Sequence, residues 1–262
     1  LFEHHDYPAV VRGTLGEAAA ASVLLASTLK FESQLTMQMQ GPGPMHLLVM
    51  QATHRMAIRG VARWKGELPA ERRLQSLAGE GGQVTVTIEN PERTSRYQGV
   101  VPLTGDGFAD CLQHYFERSE QLPTRLWLAA SNERAAGLLL QRLPSGASAS
   151  AEEDELVAAE GDEDWNRVLH LAGTLTADEL VKLPGSELLR RLFHEEDVRM
   201  FDADPVFFQC ACSRERVSGI LRSLGEGEVR SVLEERGDVE VRCEFCNRAY
   251  RYDAVDVAGL FA

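Results

Sequence analysis

No run in this 262-residue chain approaches the ~18 to 20 apolar residues of a membrane helix, so the sequence predicts no spanning segment and no membrane partner. No signal-peptide pattern opens it either: Leu1 to Asp6 is short and carries two acids. Phosphate-binding loops, nucleophile elbows and metalloprotease motifs are all missing, which leaves ATP-driven work and hydrolysis without support and predicts a protein that is not an enzyme. Base is scarce: 27 Lys and Arg face 40 Asp and Glu, a net charge of −13. Such a chain is a poor nucleic-acid binder, because Lys and Arg neutralising phosphates supply most of that affinity. Aromatic residues are few at 7%, but 44% hydrophobic residues are ordinary for a globular protein and suffice to bury a core.

The deficit of positive charge is local. Residues 1–150 are balanced, residues 151–205 carry a net of −11, and residues 206–262 a net of −2. The balanced part predicts an α+β core. Glu17 to Lys30 is rich in Ala and Leu and predicts a helix. Gln34 to Gln40 then alternates Leu35, Met37 and Met39, which is strand periodicity. Further strands are expected near His46–Gln51, Met56–Trp64, Gln83–Glu89 and Arg96–Val101, the last two across a turn at Asn90–Pro91. A helix is expected over Phe108–Glu120, and strands over Thr124–Ala130 and Gly137–Leu143. The strands are expected in meander order.

Leu143–Ala151 (LPSGASASA) has linker composition. Glu152–Asp164 holds eight acids and no base, the pattern of a solvated helix face or loop. Helical segments are expected around Trp165–Leu171, over Thr176–Leu183 behind a Thr cap, and over Ser186–His194. Short helices of one charge sign repel themselves and need tertiary packing. A conditionally folded element has this composition, and so does a plain acidic spacer. The expected organisation is a core over 1–150, an acidic helical linker over 151–205 and a small domain over 206–262.

The strongest chemical signal lies in that last segment. Of five cysteines, Cys210 and Cys212 form one close pair and Cys243 and Cys246 a second. Two pairs around a compact stretch suit tetrahedral coordination by four thiolates, and zinc fits this best. An iron–sulfur cluster and plain buried cysteines remain open. Helices are expected over Arg214–Leu224, behind a Ser213 cap, and over Glu226–Arg236, with a hairpin of Val239–Arg242 and Ala249–Tyr252. So short a segment buries little core, so a bound metal would supply much of its folding free energy. Bound thiolates remain oxidisable, and each has a neighbour with which to close a disulfide. A Cys243–Cys246 bond is familiar from Cys-X-X-Cys sites; a Cys210–Cys212 bond closes a small, strained ring. Cys111 reads as a small buried hydrophobe, Met37 and Met39 as sheet core, and His46, His54 and His114 lack catalytic partners.

Phe208–Arg216 (FQCACSRER) and Cys243–Cys246 (CEFC) resemble the 33 kDa heat-shock protein family of bacterial redox-switched holdase chaperones. So do Gly43-Pro44-Met45, Gly60–Arg63 (GVAR), Arg96–Val101 (RYQGVV), Tyr115–Arg125 (YFERSEQLPTR) and Arg191–Glu196 (RLFHEE). The likeness spans essentially the whole chain. It implies a client-binding α+β core, a helical linker and a C-terminal zinc domain in a cytoplasmic protein. It also implies one Zn2+ per reduced chain on Cys210, Cys212, Cys243 and Cys246. Oxidation is implied to form Cys210–Cys212 and Cys243–Cys246 disulfides, release the ion, unfold the linker and yield a homodimer that holds unfolding proteins without ATP. The resemblance further implies an N-terminal segment, usual in the family, ahead of the position of Leu1. Two other readings stand beside it. A thiol-disulfide oxidoreductase would need Cys243–Cys246 at a helix N-terminus. A zinc-ribbon nucleic-acid binder would use the cluster Arg248, Tyr250, Arg251 and Tyr252.

Overall fold

The computed structural model describes residues 1–29, 31–90, 96–120, 122–143 and 151–262. The turn expected at Asn90–Pro91 and the linker composition at 144–150 therefore lie outside the described residues. Contacts divide the chain into two compact units, Pro8–Phe207 and Leu1–Tyr7 with Phe208–Ala262.

The larger unit is built around helix α1 (Ala9–Ser27) and strands β1 (Gln34–Gln40), β2 (Leu47–Thr53) and β3 (Ala57–Arg63). After the short helix α2 (Leu74–Ala78) come β4 (Gln83–Glu89) and β5 (Arg96–Pro102). Alternation decides which side chains go inward: Leu35, Met37 and Met39 of β1 and Leu48, Met50 and Ala52 of β2 are sealed from solvent. Met37 sits opposite Met50 on one side and Val86 on the other. The strands run β5-β4-β1-β2-β3, all antiparallel. This departs from the expected meander: after β3 the chain crosses back, so that β4 pairs with β1. Gly60 of β3 leaves room for the end of the Met50 side chain, which a Cβ there would displace. The Gly41–Pro44 loop is pinned to α2, with Gly43 N–H donating to Ala78 O at 2.7 Å and Met45 N–H to Leu77 O at 2.9 Å.

Helix α1 starts eight residues before its sequence-predicted start at Glu17. It is long and apolar enough to meet the length and composition of a membrane span, which the sequence reading had excluded. In this fold it is a core helix: Val11, Leu15, Ala18, Ala21, Leu25 and Ala26 are buried, and it packs against the sheet and against a hairpin. That hairpin follows helix α3 (Phe108–Tyr115) and a π-helical turn (Phe116–Glu120), and consists of β6 (Thr124–Ala130) and β7 (Ala135–Gln141). Cys111 is buried on α3, its thiol donating to Thr104 O at 3.2 Å.

The acidic segment then forms α4 (Ala151–Gly173), α5 (Ala177–Lys182) and α6 (Gly185–Leu192). At 23 residues α4 is longer than the short helices expected. Leu180, Leu188, Leu192 and Phe193 bury against Ala129, with Trp127, Leu138 and Leu140 of the hairpin packed around them. Thr176 and Glu179 form a reciprocal cap at the start of α5, with Thr176 N–H donating to Glu179 Oε2 at 3.0 Å. The few bases are placed as staples: Arg167 holds Glu196 through two hydrogen bonds of 2.7 and 3.0 Å, and Arg191 holds Glu179 at 3.1 Å. Those bonds lower the Glu196 carboxyl, and the Thr176 backbone bond lowers that of Glu179. Phe207, in the two-residue strand β8 (Phe207–Phe208), ends the unit by donating its N–H to Met56 O at 3.2 Å.

The smaller unit has α7 (Arg214–Leu224), α8 (Glu226–Arg236), the hairpin β9 (Val239–Arg242) and β10 (Ala249–Tyr252), and α9 (Ala254–Leu260). The first four match the expected ranges; α9, capped by Asp253 through Val255 and Asp256 N–H at 2.9 and 2.8 Å, was not foreseen. Gly237 ends α8 in the left-handed region (φ 83°), which a Cβ would strain. Leu1–Tyr7 belongs to this unit, with the His4 ring 4.8 Å from that of Phe208.

Candidate metal centre

Each cysteine pair is presented by a defined backbone feature. Cys210 and Cys212 sit in the extended stretch before α7, just ahead of Ser213, whose Oγ caps the helix by accepting from Arg216 N–H at 3.3 Å. Cys243 and Cys246 sit in the turn between β9 and β10. There Cys243 N–H donates to Arg248 O at 3.0 Å, and Asn247 N–H donates to Cys243 O at 2.7 Å. Asn247 adopts φ 55°, a left-handed conformation that Asn tolerates better than most residues.

The fold brings all four predicted ligands together. Their Sγ atoms lie within 4.8 Å of one another, with Cys210–Cys243 at 3.6 Å and Cys212–Cys246 at 3.4 Å. A tetrahedron with metal–sulfur bonds of ~2.3 Å has sulfur–sulfur edges of about 3.8 Å, so the set fits a single ion. The thiols are free and half-buried. Burial pushes the Cys210 thiol up and the Cys246 thiol up to about 12. Burial also opposes ionisation of Cys212, but hydrogen bonds from Tyr250 and the neighbouring cysteines outweigh it and bring that thiol down to about 7. Burial thus opposes charge on Cys210 and Cys246, a cost that a divalent cation held between the sulfurs would relieve.

The structure dissolves the basic-aromatic cluster seen in the sequence. Tyr250 and Tyr252 alternate inward on β10 and belong to the unit's core with Val217, Leu221, Val229, Val239 and Val257. Arg251 points outward and pairs with Glu240 at 2.7 Å. Buried rings offer no stacking surface to a nucleic acid. The Cys243–Cys246 turn is also not a helix N-terminus, the setting a thioredoxin-like redox pair needs. Sequence reasoning overlooked Tyr250 as a partner of the site: its hydroxyl donates to Cys212 Sγ at 3.1 Å. Period-two alternation in AYRY, which sends both tyrosines to one face, was the available signal.

The family model described as Hsp33 protein matches residues 1–253. The chain belongs to the Hsp33 family. It is 48% identical over 257 residues to the 33 kDa chaperonin of Nitrosococcus oceani, covering 98% of this chain and 84% of that one. To the 33 kDa chaperonin of Hahella chejuensis it is 44% identical over 259 residues, covering 98% and 86%. Its fold is similar to the crystal structure of the 33 kDa chaperonin of Thermotoga maritima, with a TM-score of 0.82 at 21% identity over 99% of this chain and 88% of that one. An Hsp33 fold thus accounts for the mixed α and β architecture and for the cysteine cluster near the C-terminus.

Proposed function

We propose that this protein is a redox-regulated holdase that binds unfolding proteins without ATP, switched by zinc held on Cys210, Cys212, Cys243 and Cys246. The observation that carries the reading is the convergence of four free thiols on one ion-sized site inside a unit with a small core. Membership in a family whose relatives are named chaperonins supplies the client class. One zinc ion, when bound, would cross-link the stretch before α7 to the β9–β10 turn.

The chain's own residues do the rest. Two thiolates of a pair give two electrons to a peroxide: sulfur attacks oxygen, the O–O bond breaks, and the resulting sulfenic acid condenses with its neighbour. Each disulfide, Cys210–Cys212 and Cys243–Cys246, consumes one peroxide and yields two hydroxides. Sulfurs so paired no longer serve as ligands, and the unit loses its main cross-link. The acidic helices run through residues 194–207 directly into the first pair, and their like charges favour opening. Opening uncovers the hairpin face now under Leu180, Leu188 and Leu192, where Trp127, Leu138 and Leu140 present apolar surface suited to unfolded segments. In this reading the active form is a homodimer and works in the cytoplasm.

Aggregation of a heat-denatured test enzyme checks the proposal, with zinc measured by elemental analysis in parallel. Reduced protein is expected to carry one zinc ion per chain and to leave aggregation unchanged. Peroxide-treated protein is expected to have lost the ion and to suppress aggregation with no nucleotide present. Equal suppression in both states would overturn the switch.

A further inference from the structure

We infer that Tyr250 is a positioning residue of this centre: its hydroxyl donates to the Cys212 sulfur, holds it in place as a ligand and shields it from oxidation. The inference rests on the zinc-switch reading above and assigns a role to a residue outside the four cysteines. Tyr250 belongs to the buried cluster of the smaller unit and lies opposite Val241 on β9, with its hydroxyl oxygen 3.1 Å from Cys212 Sγ. The bond spans 38 residues of sequence, from β10 to the stretch before α7, so it ties the two halves of the site together without the metal. The sulfurs otherwise approach one another, Cys210 to Cys243 at 3.6 Å and Cys212 to Cys246 at 3.4 Å.

A donor on a thiolate draws electron density away from sulfur and fixes its lone pairs. Both effects slow its attack on peroxide. In that attack an S–O bond forms, the O–O bond of hydrogen peroxide breaks, hydroxide leaves, and Cys212 becomes a sulfenic acid. The same donor fixes the sulfur's direction, so a metal ion meets a ligand already in place. Outer-shell partners of metal ligands are worth about 10- to 100-fold in metal affinity.

The test uses the full-length, reduced, zinc-loaded protein with Tyr250→Phe, which keeps the ring and deletes the donor. Tyr252→Phe is the control: its hydroxyl also lies in the unit's interior, but bonds Ser218 Oγ and Arg214 O at 3.1 Å each rather than a sulfur. Two readouts are taken, zinc affinity by competition with a chromophoric chelator and the rate of zinc release under hydrogen peroxide. Tyr250→Phe is expected to weaken zinc about tenfold and to speed peroxide-driven release several-fold. Tyr252→Phe is expected to lower the melting temperature and leave both zinc readouts at wild-type values. Wild-type affinity and release in Tyr250→Phe, or an equal shift in Tyr252→Phe, overturns the inference. A wild-type protein that keeps its zinc under peroxide overturns the redox reading instead, while the chelator competition still decides the role of Tyr250. A wild-type protein that binds no zinc overturns both.

Discussion

In the larger unit, Leu15, Leu35, Met37, Met39, Leu48, Met50, Leu77 and Leu112 are fully sealed behind a continuous antiparallel sheet. In the smaller one, the interior is a handful of valines, Leu221 and two tyrosines, with Cys212 and Cys243 packed at its margin. The first interior can hold a fold by burial, at roughly 1.5–3 kcal/mol per large apolar side chain. The second is the size at which natural domains add a metal or disulfides. A cross-link matters most where burial is smallest, so in the proposed switch chemistry at four sulfurs would unmake one unit and spare the other.

The sharpest way to break that comparison is to delete ligands. Cys243→Ser combined with Cys246→Ser should abolish metal binding, removing apparent stabilisation of about 10–16 kcal/mol from the smaller unit. Hydrogen exchange should then show residues 208–262 and helices α5 and α6 deprotected, with β1 to β4 as protected as in the wild type. A protected tail without metal would mean that its core suffices alone. The reciprocal cut is Leu48→Ala in the sheet. It should cost about 2–5 kcal/mol, lower the melting of the larger unit, and leave zinc content per folded chain unchanged; loss of zinc with it would show that the units fold as one. The smallest effect tests the acidic helices. Thr176→Ala removes the α5 cap and should cost about 1 kcal/mol. Exchange should rise over residues 177–192 and stay constant in β1 to β4, and a uniform rise would place these helices inside the core's cooperative unit.

Most local structure was legible because its causes are local. Alternation of Leu35, Met37 and Met39 specifies a strand whatever its neighbours, and the Thr176 and Ser213 caps mark helix starts through bonds made within three residues. Helix α1 was misplaced at its start because Val10 to Thr14 is β-branched or glycine-bearing, and only burial against the sheet and hairpin makes it helical. Meander order failed for a similar reason. Pairing β4 with β1 is a long-range choice that Met37 and Val86 make by sharing a buried face, and nothing within either strand encodes it.

The sequence by itself singled out the candidate ligands, because two close cysteine pairs constrain the chemistry wherever the chain runs. It also determined the charge partition, with the acids concentrated in one segment. Only the tertiary structure decided that the four sulfurs converge within 4.8 Å, that a tyrosine hydroxyl reaches one of them, and that the acidic helices spend their leucines on the β6–β7 hairpin. Each joins residues dozens of positions apart. Contacts of that range are set by the packing of whole elements, and the short-range periodicities of a sequence do not carry them.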